Sequence, residues 1–462
     1  AAFGLYLFLS TLFGLPHFDW KIRDNNRRIA VISSILWLSS PVNIQAVTYI
    51  VQRMAALAAM FYIYAMYFYL KGRLSLNSKS YLFYILAMGF ALLAIGSKQN
   101  AVTLPFFLLM LEISVINKGN AAFLFKEKQV FAILSILGMI FIGVLSYLYI
   151  PFKNITEPWF LYAMESRFLT GTRVILFYVI QLLFPIPSKL SLEHDFQASR
   201  SMFDPPATIV ALLLFICIVI YTLASLKRRP LFSFFAIWFL GNLVIETFNP
   251  YLVTVFEHRL YLPAVGFFAL TGMWVNHLTV SINNRLRRFY VLALLAVVAL
   301  FSINTYIRNN VWKDPYALWF DVIKKSPNIS IGYMQIGVTY FKDEDYEGAL
   351  NSYLKARSIA PRDPSVRYGL GVIYFNLKQY DEAIREFNHV GSLGEIKPNK
   401  TSQSISYYFS RIAKNYFGHD RVEEAIKVID NALLYDPDEP ILKELKEKMV
   451  KGTITAKEIM SK

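Results

Sequence analysis

The chain has 462 residues, of which 55% are hydrophobic and only 17% charged, with a mean hydropathy of +0.40, a balance that excludes an ordinary water-soluble domain. A net charge of +15 would point to nucleic acid in a soluble protein, but here most cations flank apolar runs, where they orient membrane segments, so no nucleic-acid partner is expected. The one cysteine, Cys217, lies inside an apolar run and excludes a disulfide framework or a thiolate metal site.

Apolar segments fill the chain to residue 307, and the remainder is polar and charged. Residues 1 to 14 are too short to cross a bilayer core, which takes about 20 helical residues; at least one further membrane helix is expected before Ala1. The loop HFDWKIRDNNRR carries four cations and reads as cytoplasmic. Residues 29 to 40 then lead to Pro41 and PVNIQAVTYIVQRM, which returns as a helix through residue 70 towards Lys71, Arg73 and Lys79. Crossings are expected at 80 to 96, 101 to 116 and 129 to 151, with SKQN forming a tight turn between the first two.

Parity constrains the middle of the chain. The loop after 151 reads as outside and Lys227, Arg228 and Arg229 as inside, so 207 to 226 cross once. The run 174 to 184, preceded by Arg173 and broken by Pro185 and Pro187, is expected to lie in the interface or re-enter. Further crossings at 231 to 248, 260 to 276 and 289 to 307 bring the expected total to about ten. The five inside loops hold 16 Lys or Arg, as the positive-inside rule requires.

The outside connections gather the chemistry. Between two long apolar runs stand Glu257, His258 and Arg259, and ionisable groups so close to a bilayer need a compensating role. Gln45, Tyr49, Gln52 and Arg53 come from the first outside turn, Lys98 and Gln99 from the second, and Glu157, Glu165, Arg167, Arg173, Glu193, His194, Asp195 and Asp204 from the third. Cations beside an apolar groove suit a lipid-linked phosphate, whose charge must be neutralised while its tail stays in the bilayer. Acids nearby would serve as general base or bind a divalent ion. A protein metal site is not predicted, because adjacent His194 and Asp195 need not converge.

Residues 308 to 329, with Trp312, Trp319 and an apolar helical face, read as a juxtamembrane linker helix. From 330 to 462 a period of 34 residues emerges. Gly337, Tyr340, Ala349 and Tyr353 recur as Gly371, Tyr374, Ala383 and Phe387, and, after an eight-residue insertion, as Ala413, Tyr416, Ala425 and Ile429. Small residues where two helices cross, an aromatic plug and a helix-stopping proline are what tetratricopeptide packing requires. The repeats span 330 to 363, 364 to 397 and 406 to 439, and a charged helix caps them. Such grooves bind proteins.

Both halves together resemble bacterial relatives of the transmembrane and tetratricopeptide-repeat O-mannosyltransferases of the C-type glycosyltransferase superfamily. The resemblance rests on PVNIQAVTYIVQR, SKQNAVTLPFFLLMLE, SLEHDFQASRSMFDPP, FEHRLYLPAVGFF and NNVWKDPYALWFDVIKKSPN. It implies an all-α fold, a polytopic helical bundle followed by an α-solenoid, in a bacterial inner membrane with the C-terminal domain in the periplasm. It implies transfer of a sugar from a polyprenyl-phosphate donor to a protein hydroxyl on the outer face, the repeats recruiting the acceptor protein. Arg53, Lys98 and Arg259 become donor-phosphate candidates, Glu257 and His258 catalytic or supporting candidates, and His194 and Asp195 acceptor-side candidates. Ser40 and Gln99 depart from the family's usual His and Glu, and the usual catalytic acid would precede Ala1. Two other classes fit parts of the pattern: a non-enzymatic scaffold for an envelope, pilus or secretion complex, and a glycan polymerase or ligase. A scaffold needs no converging charges, and a ligase has little need of a protein-binding solenoid.

Overall fold

A computed structural model describes residues 1–75, 79–117, 138, 158–280, 282–392 and 400–453. The described residues are helical with no strands, and the chain divides into two compact units, Ala1–Lys313 and Asp314–Lys462.

In the first unit, ten helices frame the candidate site: α1 (Ala2–Phe13), α2 (Asn26–Ser39), α3 (Arg53–Leu74), α4 (Lys79–Ser97), α5 (Leu104–Met110), α6 (Pro158–Leu183), α7 (Ala207–Ala224), α8 (Pro230–Thr247), α9 (Ala264–Val280) and α10 (Asn284–Val311). Seven helical stretches among the described residues are long and apolar enough to cross a membrane, or eight if α2 and the bent continuation Pro41–Thr48 form one span. The 55° bend between them falls at Pro41, which supplies no backbone N–H and disfavours helix in the residue before it. Apart from residue 138, the expected crossing at 129 to 151 lies outside the described residues. That at 260 to 276 begins as a 3₁₀ turn at Glu257–Leu260 and continues as α9, whose 17 residues make it one of two shorter apolar helices, with α1.

The core of this unit is aromatic. Trp238 of α8 lies against Tyr62 of α3 and Phe107 of α5, with ring centroids 5.3 and 5.2 Å apart. Buried indole N–H groups need acceptors, and both indoles find them in one place. Trp37 Nε1 donates to Tyr261 O and Trp238 Nε1 to Leu262 O, each at 2.9 Å. The segment after the 257–260 turn is thereby pinned to α2 and α8. Away from this core, α10 leaves Phe289, Leu292, Leu295 and Leu300 exposed, and α7 leaves Val210, Leu213 and Ile220 exposed, faces suited to hydrocarbon rather than water.

The run 174 to 184 is not a separate piece: it is the C-terminal part of the continuous 26-residue α6. By length and composition Tyr162–Leu183 could cross a membrane. Its polar contacts nevertheless stay at one end of the unit. Arg167 reaches Thr247 O just where α8 ends, Gln181 reaches Glu257, and Pro185 O accepts from Asn304 near the end of α10.

The second unit is a stack of helix pairs: α11 (Pro315–Lys325), α12 (Ser330–Lys342), α13 (Tyr346–Ile359), α14 (Pro364–Asn376), α15 (Tyr380–Ser392), α16 (Lys400–Gly418), α17 (Val422–Tyr435) and the capping α18 (Pro440–Val450). A Cβ added at Gly337 would lie 2.5 Å from the Tyr353 ring, and one at Gly371 2.5 Å from Phe387. In the third copy the pair is Ala413 with Ile429, both fully buried. The small residue grows as its partner shrinks, which conserves volume at the crossing. The turn inside each pair repeats too: Glu344, Lys378 and Asp420 take φ of 62°, 61° and 62°, left-handed corners that let the second helix fold back. Tyr316 donates to Asp343 at 2.7 Å, joining α11 to the first repeat.

Candidate functional site

At the end of the first unit where α3 begins and α4 and α8 finish, a cavity of about 610 Å³ opens. Lys98, Glu246, His258 and Arg259 supply its charged and polar wall, and Met54, Ile95 and Leu252 are among its apolar lining. Lys98 stands in extended backbone, φ −154° and ψ 136°, between the end of α4 and the 3₁₀ turn Gln99–Thr103. The break in the helix aims its ammonium at the last turn of α8.

Glu246 receives it. Lys98 Nζ lies 2.6 Å from one carboxylate oxygen and Arg259 Nε 3.5 Å from the other. Arg259 also donates to Thr254 O at 3.1 Å and stacks over Phe256, 5.4 Å from the ring centroid. A second arginine supports the wall from behind the lining: Arg167 donates to Thr247 O at 2.7 Å, to Val253 O at 3.0 Å and to Thr254 Oγ1 at 3.1 Å. Those bonds satisfy carbonyls beyond the end of α8 that would otherwise lack donors.

His258 is fixed by Gln45, whose Nε2 donates to Leu192 O at 3.1 Å and whose Oε1 accepts from His258 N at 2.6 Å. These two backbone partners orient the amide, so the oxygen 3.2 Å from His258 Nδ1 is an acceptor, and the ring carries its proton on Nδ1. Burial, then Lys98 and Arg259, lower the imidazole pKa to about 2. The shift favours the neutral ring, which suits His258 to holding the wall rather than to accepting a proton. Glu257 does not line the cavity: its Oε1 accepts from Ser191 N at 2.7 Å, from His194 Nε2 at 3.1 Å and from Gln181 Nε2 at 3.4 Å. It holds the 190–194 loop against the turn. Beside it, burial raises the Glu193 carboxyl to about 7, against the opposing pull of His194 and Arg259.

The structure thus brings together Lys98, His258 and Arg259 of the residues singled out in the sequence. Arg53 stands apart: it is exposed, donates to Val47 O at 3.1 Å, and the cavity is lined by its neighbours Gln52 and Met54 instead. His194 supports Glu257, and Asp195 is exposed outside the cavity lining. Sequence reasoning misses Glu246 because it sits in the run 231 to 248, which reads only as a crossing. Its signal is a lone carboxylate in an apolar span, which itself marks a functional site. Among the described residues no group of three or more His, Cys, Asp or Glu gathers as a metal site, and Glu246 is already engaged by two cations.

An apolar helical bundle joined to a helical-repeat unit defines the class, and comparison with known proteins narrows it. The TPR repeat family matches residues 337–378. The chain is similar to Protein O-mannosyl-transferase TMTC3 of Homo sapiens, 27% identical over 205 residues, 41% of this chain and 21% of that protein. It is also similar to Protein O-mannosyl-transferase Tmtc3 of Drosophila melanogaster, 26% identical over 170 residues, 37% of this chain and 18% of that one. The match therefore spans about a fifth of the length of these relatives. Among solved structures, the APC/C hetero-tetramer Cut9-Hcn1 covers 92% of this chain and 89% of its own at 12% identity, with a TM-score of 0.24 that carries no structural argument. The apolar helices give the first unit the character of a membrane protein, and the repeat match places tetratricopeptide packing in the second.

Proposed function

We propose that this protein moves a sugar from a polyprenyl-phosphate donor to a protein hydroxyl, as a C-type glycosyltransferase of a bacterial inner membrane acting on the periplasmic face. The observation that carries the reading is the convergence of Lys98 and Arg259 in one hollow with an apolar lining. A lipid-linked phosphate asks for this combination, cations for the headgroup and apolar surface for the tail.

In the reaction a base takes the proton of a Ser, Thr or Tyr hydroxyl, whose oxygen attacks the anomeric carbon. The bond from that carbon to the phosphate oxygen breaks, and the electron pair leaves with the polyprenyl phosphate. Lys98 and Arg259 stabilise the charge on the departing phosphate, an electrostatic task preorganised by their fixed positions. Binding there requires the phosphate to replace Glu246 as their partner, wholly or in part. Glu257 and His258 hold the wall in place, and the base comes from elsewhere. The repeats present the acceptor protein, a role their helical groove suits.

The test is transfer by membranes carrying Arg259→Ala with a polyprenyl-phosphate sugar donor. Loss of transfer at unchanged membrane insertion supports the reading. Transfer at the wild-type rate removes Arg259 from the site, as a purely scaffolding protein requires.

A further inference from the structure

The opposite end of the first unit carries a second charged hollow, of different make. There α10 begins, α9 ends and α2 begins, and a depression of about 510 Å³ is lined by Arg28, Arg287, Arg288, Val291 and Leu292. A second hollow of about 340 Å³ shares Arg28 and Val291 with it and extends between α2, α9 and α10 over Val31, Ile32, Val275 and Leu294. The upper part is cationic and the lower part apolar. Val31, Val291 and Leu292 are 42%, 41% and 65% exposed, so the apolar part opens sideways, on the flank where α10 shows its hydrocarbon face.

The charges at the Lys98 end are paired with Glu246; these are not. Arg28 Nη2 donates to Thr279 Oγ1 at 2.8 Å and Arg287 Nη2 to Asn284 Oδ1, both neutral acceptors. Among the described residues none of Arg27, Arg28, Arg287 and Arg288 forms an ion pair with a carboxylate, whereas Arg23 close by pairs with Asp24 at 2.9 Å. Orienting a membrane helix requires only that cations lie near its end. It does not require three guanidinium groups around one concavity with a lateral apolar extension, whose mutual repulsion the fold has to bear.

We propose that this hollow is a binding site for an anionic phospholipid of the surrounding membrane. Arg28, Arg287 and Arg288 hold the phosphate headgroup, and an acyl chain lies along Val31, Val291 and Leu294. Planar guanidinium forks suit phosphate oxygens, and basic pockets between membrane helices are where anionic headgroups lodge. The site is separate from the Lys98–Glu246–Arg259 cavity and does not depend on any reading of it.

The full chain, purified in mild detergent and reconstituted in nanodiscs of phosphatidylcholine doped with phosphatidylglycerol, is delipidated stepwise, and the lipid retained per protein is counted by native mass spectrometry. The wild type should retain phosphatidylglycerol over phosphatidylcholine by roughly a hundredfold, since three surface cations near an anionic lipid contribute about 1 kcal/mol each. R287Q/R288Q, which alters two exposed side chains, should lose that preference while its melting temperature in phosphatidylcholine alone stays at the wild-type value. Arg28→Gln should weaken it by a smaller factor. Equal retention of both lipids by the wild type, or an undiminished preference in R287Q/R288Q, overturns the proposal. So does millimolar inorganic phosphate displacing the lipid completely, because a free anion would then be the natural occupant.

Discussion

The two units contain the same ionic device in two settings. In the repeats, Glu386 sits between Arg357 and Arg367, at 2.5 and 2.8 Å, where α13, α14 and α15 meet. In the membrane unit, Glu246 sits between Lys98 and Arg259, at 2.6 and 3.5 Å. Glu386 is buried and its carboxylate satisfies both of its partners at short range, closing the triad on itself although solvent reaches Arg357. Around Glu246 the wall opens on a cavity of about 610 Å³, and the longer of its two contacts goes to the arginine that also serves Thr254 and Phe256. A triad that is closed acts as a staple. One that borders a hollow would, on the proposed reading, hold two cations ready for another anion, and only the surroundings distinguish them.

Breaking the open triad should produce the largest effects. Arg259→Ala should lower transfer by on the order of a hundredfold or more, the scale for removing one preorganised charge-stabilising donor, measured as turnover with saturating acceptor. Glu246→Gln leaves Lys98 and Arg259 facing each other without a counter-charge, so the melting temperature should fall, corresponding to about 2 to 3 kcal/mol. At the same time the affinity for the polyprenyl-phosphate donor should rise, because the competing carboxylate is gone. A variant that loses stability and donor affinity together would make Glu246 a staple like Glu386, and the contrast between the units would vanish.

The closed triad should respond more weakly and only in stability. Glu386→Gln should destabilise the repeats by about 1 to 2 kcal/mol, a figure discounted for the solvent that reaches Arg357, whose side chain is 35% exposed. Hydrogen exchange on the full chain should show faster opening across α13 to α15 with donor binding unchanged. Altered donor affinity in this variant would contradict the assignment of the repeats to the acceptor.

What could be read from the sequence differs between the units for the same reason that the triads differ. The repeats announce themselves, because Gly337 with Tyr353 and Gly371 with Phe387 meet at local, periodic helix crossings. Lys98 and the Glu257–His258–Arg259 turn were legible because charges between apolar runs must lie at an end of the bundle. Which neighbour lines the cavity was not: Gln52 and Met54 do and Arg53 does not, since single-residue facing depends on the 3₁₀ turn Ile50–Gln52 that precedes α3. Glu246 meets Lys98 across 148 positions of sequence, and no local pattern records that meeting. Arg167 is placed by the sequence in the third outside connection, but that it is spent on carbonyls of the 247–253 loop is visible only once the fold places α6 beside α8.

The smallest effect sharpens the comparison through pH, because Glu193, a carboxyl raised to about 7, lies within electrostatic reach of Arg259 of the open site. Glu193, raised to about 7 chiefly by burial, contributes stability that is fully present below its unfolded value near 4.5 and is lost as pH rises through about 7. His258, depressed to about 2, works in the opposite direction: it costs nothing above about 6.5, and stability falls as pH drops below that, when only the unfolded state takes up the proton. Between pH 6 and 8, then, His258 remains neutral in the folded chain while Glu193 acquires a charge within electrostatic reach of Arg259. A phosphodiester donor keeps one negative charge across this range, so the protein rather than the ligand changes. Donor affinity should weaken about two- to fivefold from pH 6 to pH 8, the scale of one partly screened charge. Glu193→Gln should flatten the profile at the level of the acid limb. A profile that keeps its slope in that variant would assign the titration to another group and leave Glu193 a bystander of the 190–194 loop.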